Sequence, residues 1–154
     1  MIALIQRVST ARVAVDGETV GACGRGYLVL LGVAETDEES DIARLGDKLL
    51  KLRIFADENG KMNRSILDVG GEALVVSQFT LMANYSHGNR PEFFAAAHPG
   101  KAERFYEAFV AHLRRSLSHV GTGSFGAHME VNLLNHGPVT ILMDSHDYRR
   151  NQSK

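Results

Sequence analysis

The chain carries one cysteine, three prolines and no tryptophan in 154 residues, and each scarcity closes off a class of protein. A single Cys23 excludes an internal disulfide framework and any paired-cysteine metal or redox motif, which fits a reducing compartment. Its expected place is the core or a strand edge, not a nucleophile's position. No apolar run approaches the roughly 18–20 residues of a membrane span, and Met1-Ile2-Ala3 leads into Gln6-Arg7 without a signal-like apolar stretch. A cytoplasmic location without membrane contact is therefore expected. Charge of one sign is lacking too: 17 Lys and Arg face 18 Asp and Glu, so broad, sequence-blind nucleic-acid binding has no electrostatic basis. Basic clusters remain at Arg44, Lys48, Lys51 and Arg53, at Arg114-Arg115, and at Arg149, Arg150 and Lys154. Each reads first as a solvated helix face or frayed end. Neither a G-x-G-x-x-G nor a Walker sequence is present, which disfavours a doubly wound nucleotide-binding fold. None of the seven histidines has metal-ligand spacing, so neither metal nor cofactor is expected.

What is present suits a single domain, expected over 1–148, with a basic tail at 149–154. Alternating apolar residues from Ile2 to Val15 end at Asp16-Gly17, a dipeptide that favours a type I′ hairpin turn into a partner strand over Glu18–Ala22. Tyr27–Val33 is apolar on both faces and is expected as a central strand. Thr36-Asp37-Glu38-Glu39 has the pattern of a capping box with Thr36 as cap. A helix follows, with Ile42, Leu45, Leu49 and Leu52 on one stripe. Asp57-Glu58-Asn59-Gly60 reads as a turn and not a calcium loop, followed by an irregular link to Gly70-Gly71. Ala73–Val76 is a short strand. Pro99 opens a second helix whose apolar face runs from Ala102 to Leu117. Val120–Ser124 breaks it, and strands over Met129–Leu134 and Val139–Met143 close the chain. The class is α/β: one layered domain with mixed sheets forming a barrel-like core and two main helices packed on it.

Two polar interruptions of apolar strands stand out. Asn135-His136-Gly137-Pro138-Val139-Thr140 puts a rigid kink into backbone that otherwise reads as sheet, at a bond type where a cis peptide is accessible. Ser77-Gln78-Phe79-Thr80-Leu81 ends another strand. Together they suggest a small site built from main-chain groups and guarded by stiff backbone. A hydrolase using Ser77 or Thr80 as nucleophile would need a histidine base and an acid, and no G-x-S-x-G elbow supplies that arrangement. Two other readings stay open on the residues alone: a Thr- or Ser-dependent esterase or amidase of small molecules, and a non-catalytic dimeric binding module.

With Ile5-Gln6-Arg7-Val8 and Gly88-Asn89-Arg90-Pro91-Glu92-Phe93 added, these motifs occur in the order, and over nearly the length, that resembles the D-aminoacyl-tRNA deacylase (D-tyrosyl-tRNA deacylase) family. The family often has a small residue where Glu92 stands and Asp where His136 stands. The resemblance implies a homodimer that hydrolyses the ester between a D-amino acid and the 3′-terminal adenosine of tRNA. It implies catalytic contacts from Ser77, Gln78, Phe79 and Thr80, largely through main chain, with the 2′-hydroxyl of the substrate's ribose assisting. It also implies a cis Gly137-Pro138 pair that enters the partner's pocket and excludes L-aminoacyl groups, with Arg7 bracing the pair. Glycine has no side chain to clash, so glycyl-tRNA is expected to be hydrolysed in part.

Overall fold

The computed structural model describes residues 1–150, the side chains of 148–150 excepted. The expected tail over 149–154 falls outside these residues, apart from the backbone of 149 and 150.

Strand β1 (Ile2–Val15) turns through Asp16 and Gly17, at φ 50° and 81°, into β2 (Glu18–Cys23), the hairpin expected from Asp-Gly. Strand β3 (Gly26–Gly32) pairs antiparallel with the first half of β1 and parallel with β6 (Glu72–Ser77). Its centrality follows from its side chains. Tyr27, Val29 and Leu31 join one buried cluster, while Leu28 joins a second on the other face of the sheet. The strand order is β2-β1-β3-β6-β7, where β7 is Val120–Thr122, with β8 (Glu130–Asp144) on the remaining side of β1. The ends of this path meet because two glycines permit it: a Cβ on Gly21 would lie 2.1 Å from the Thr122 carbonyl oxygen, and one on Gly121 2.4 Å from that of Ala22. The result is a nearly closed mixed barrel.

Helices α1 (Glu39–Lys51) and α2 (Pro99–Arg114) cover one side, burying Leu45 and Leu49 against Phe105, Phe109 and Leu113. Truncating a buried phenylalanine of this kind typically costs about 3–5 kcal/mol. A third helix, α3 (Ser145–Arg150), follows β8 directly.

Several expected local features differ. The capping box of α1 is formed by Glu38 and Asp41, with Glu38 N donating to Asp41 at 2.9 Å, not by Thr36 and Glu39. The helix start is displaced because Asp37 is engaged elsewhere: it accepts from the Met1 ammonium at 2.5 Å and the Ala34 amide at 2.7 Å. Residues 62–64 are a strand, β5, paired with β4 (Phe55–Ala56), where an irregular link was expected. Val120–Thr122 is strand β7, parallel to β6, where a helix break was expected. Helix α2 ends at Arg114, so buried Leu117 packs from beyond it. Finally, β8 runs through the Gly-Pro kink as one strand because β1 pairs with it on both sides of the interruption.

Candidate active site

Ser77 ends β6, and Gln78 carries the chain out of the sheet. The Gln78 amide still donates to the Leu31 carbonyl at 2.8 Å, after which residues Phe79–Met82 form a 3-10 turn. The first bond inside that turn runs from Leu81 N to the Gln78 carbonyl at 3.3 Å. The amides of Phe79 and Thr80 precede it, so neither has an acceptor within the turn.

Beside the turn lies a cavity of about 600 Å³, walled by Ser77, Gln78 and Phe79, by Phe93, by Ala102 of α2 and by Phe125. The rings of Phe79 and Phe93 meet edge to face, 5.0 Å between centroids at 73°. Mostly apolar walls with a few convergent polar groups are what an organic ligand needs. Thr80 is not among the lining residues, and its hydroxyl accepts from Gln78 Nε2 at 2.6 Å. Among the described residues no histidine is hydrogen-bonded to Ser77 or Thr80.

The second motif interrupts β8. Pairing with β1 jumps from Gln6↔Thr140 to Val8↔Asn135, leaving residues 136–139 opposite Arg7 alone. The Gly137-Pro138 peptide is cis and Gly137 has φ 140°. Asn135 closes the bulge with its own side chain, accepting from Val139 N at 3.0 Å and donating to Thr140 Oγ1 at 3.1 Å. From below, Arg7 donates through Nε to the His136 carbonyl at 2.8 Å and through Nη1 to that of Ile54 at 2.5 Å. A Cβ on Gly137 would lie 2.8 Å from Val139 Cγ2 and 3.0 Å from Arg7 Nη2.

The two motifs stay apart within one chain. Ser77 aligns through Leu31 and Ala3 with Met143, whereas the bulge lies opposite Arg7, four positions further along β1. That separation is about 13 Å along the strands and three spacings of about 4.8 Å across them. Gly137 and Pro138 accordingly do not line the cavity.

Several other titratable groups are engaged in local structure. His98 caps α2 by accepting from Lys101 N at 3.3 Å, and His112 meets Asp47 at 2.7 Å. Asp37, Asp41 and His146 form a cluster with metal-like spacing, but Asp37 Oδ1 already receives the Met1 ammonium and His146 Nε2, the latter at 2.9 Å. Asp57 accepts from the amides of Asn59 and Lys61 and from Asn63 Nδ2. Those bonds, the Lys61 amide foremost, hold its carboxyl below the usual range. Cys23 is buried, and burial first, then the Glu72 charge, pushes its thiol up to about 11, far from thiolate chemistry.

The sequence model of the family described as D-Tyr-tRNA(Tyr) deacylase matches residues 4–144. The chain belongs to this family. A D-aminoacyl-tRNA deacylase of Roseiflexus castenholzii is 54% identical over 154 residues, all of this chain and 98% of its own length. One from Ruegeria pomeroyi is 58% identical over 144 residues, 94% of this chain and 99% of its own. Among solved structures, the c-Myc DNA unwinding element binding protein aligns at TM-score 0.89 and 42% identity, over 94% of this chain and 98% of its own.

Sequence reasoning missed the far wall of the cavity. Phe125, Gly126 and His128 lie in the segment between β7 and β8. An aromatic followed by a glycine, here at φ 76°, was the available signal for an ordered loop.

Proposed function

We propose that this protein hydrolyses the ester linking a D-amino acid to the 3′-terminal adenosine of tRNA, acting as a homodimer with its sites at the interface. The observation that carries this reading is the cavity walled by Ser77–Phe79, at the start of a turn whose first two amides have no acceptor within it. Ester hydrolysis passes through a tetrahedral oxyanion, and donors aimed at the developing charge do most of the electrostatic work; one such donor is worth about 2.7–4 kcal/mol. The amides of Phe79 and Thr80 are assigned that role, with the neighbouring 2′-hydroxyl of the ribose assisting the attacking water. The Thr80 hydroxyl, engaged by Gln78 and with no histidine bonded to it among the described residues, speaks against a covalent route.

Chirality is decided by the second motif. A pocket distinguishes mirror images only if several directions around the chiral carbon are fixed, which backbone held in place does better than mobile side chains. Gly137 and Pro138, braced by Arg7 and Asn135, supply such backbone, but too far from their own cavity to act there. The partner copy's cavity is therefore assigned as their target. An unfinished surface surrounds them: Leu134 and Leu142, on the same strand, are 60% and 63% exposed. An L-side chain would meet this backbone, a D-side chain would point away, and glycine would be admitted in part.

Single-turnover assays with excess protein test the reading. Release of D-tyrosine from D-tyrosyl-tRNA, with L-tyrosyl-tRNA left intact, is expected. Release of neither above the spontaneous rate contradicts it. Replacing the terminal 2′-hydroxyl by hydrogen should slow the reaction strongly while leaving binding in place.

A further inference from the structure

Between the 3-10 turn and α2 the chain makes a small excursion, residues 84–92, whose base is pinned by an isolated antiparallel bridge. Asn84 and Glu92 exchange main-chain hydrogen bonds at 2.9 Å in each direction. The side chains repeat the connection. Asn84 Nδ2 donates to Glu92 Oε1 at 2.6 Å, Phe94 N donates to Glu92 Oε2 at 2.8 Å, and Asn84 Oδ1 accepts from Ser86 N at 3.1 Å. Both carboxylate oxygens of Glu92 are thus tied to neutral donors on either side of Phe93. Further along, the chain is anchored again, by Ala97 N to the Val33 carbonyl at 2.9 Å and Glu35 N to that of Ala95 at 3.0 Å. Phe93 sits between the two anchorages, with its ring on Phe79 and on the cavity wall.

We infer that Glu92 is a positioning residue for substrate binding: its carboxylate fixes the backbone on both sides of Phe93, and so holds the wall that faces the Ser77–Phe79 turn. This rests on the functional reading above. Because the wall touches bound substrate in the ground state and the transition state alike, loosening it weakens binding without slowing chemistry at saturation. The carboxylate acts here through geometry, not charge.

The test is single-turnover hydrolysis of D-tyrosyl-tRNA across a range of protein concentrations, with the full chain. Glu92→Ala should raise the half-saturating concentration about tenfold, while the maximal rate constant stays within about threefold. Glu92→Gln alone should give an intermediate rise, since its amide nitrogen faces that of Asn84. Combining Glu92→Gln with Asn84→Asp reverses the donor and acceptor, keeps the acceptors for Phe94 N and Ser86 N, and leaves net charge unchanged. The pair should return half-saturation to within about twofold of wild type, and an electrostatic role at position 92 would not be rescued this way. Glu92→Ala with unaltered half-saturation, or an exchanged pair no better than Glu92→Gln alone, overturns the inference. If Glu92→Ala fails to fold, the comparison of Glu92→Gln with the exchanged pair still decides. Inactivity of the wild-type chain would instead remove the functional reading itself.

Discussion

The cavity wall is backed by Val76 and Ala97, 2% and 8% exposed, whereas the Gly137-Pro138 bulge rides on a strand whose Leu134 and Leu142 are 60% and 63% exposed. One region is completed by its own core. The other is braced from within, by Arg7 and Asn135, yet its Gly137 and Pro138 are exposed, uncovered by any of the described residues. A strand of 15 residues, β8, with apolar side chains in solvent, also leaves an edge that isolated proteins usually cover. The contrast is what the proposed shared site requires: in it, each chain would supply a finished pocket to its partner's bulge and a bulge to its partner's pocket.

The largest effect should come from removing the proposed second copy. Leu134→Asp with Leu142→Asp places charge on exposed positions, so the fold should persist while light scattering reports monomers. Hydrolysis of D-tyrosyl-tRNA should then fall by about a hundredfold or more, the scale on which misplaced site groups act. An active monomer would break the comparison. Next in size is Gly137→Ala, whose Cβ would press on Val139 and Arg7 at a φ that L-residues rarely adopt. Hydrolysis of L-tyrosyl-tRNA relative to D-tyrosyl-tRNA should rise about tenfold or more.

On the cavity side, Thr80→Ala removes a hydroxyl that is already engaged and lies outside the lining, so the single-turnover rate should fall less than about tenfold. A loss beyond about a thousandfold would restore a nucleophilic threonine.

The smallest effect concerns the core that backs the cavity, where Tyr106 donates to the Val75 carbonyl at 2.8 Å. Burial foremost pushes the Tyr106 phenol up to about 12 from 10.0, and burial likewise raises Tyr27 and, with Glu72, Cys23. Groups with folded values above their unfolded ones favour folding while protonated in both states. That contribution is intact below about pH 9 and is lost as pH climbs toward 12. Urea midpoints should be flat from neutral pH to about 9 and decline above it; a decline starting near pH 7 would contradict this assignment.

Much of the fold was legible because its signals are local. Asp16-Gly17 specified a hairpin, the two-faced apolar run at Tyr27–Val33 a central strand, and Pro99 a helix start. What escaped depended on partners distant in sequence. Val120–Thr122 is too short to announce a strand, and becomes one by pairing with β6. Thr36 lost its capping role because Asp37 is drawn to the Met1 ammonium, 36 positions away. The site divides in the same way. Ser77–Phe79 could be located as a polar end to an apolar strand, while Phe125 and His128 reach the cavity only through the tertiary fold. Glu92 stood out in sequence only as a departure from the family's usual small residue; its two side-chain ties are a property of the folded hairpin.

Mixed dimers test the shared site most directly. One chain carries Ala102→Trp, filling its cavity from α2 but keeping an intact Gly137-Pro138 bulge; the other carries Gly137→Ala with an open cavity. If the bulge guards the neighbouring copy, the only open cavity is guarded by intact backbone, and the purified heterodimer hydrolyses D-tyrosyl-tRNA while sparing L-tyrosyl-tRNA as wild type does. If that heterodimer cleaves L-tyrosyl-tRNA as readily as the Gly137→Ala homodimer, the bulge guards its own chain and the shared site is contradicted.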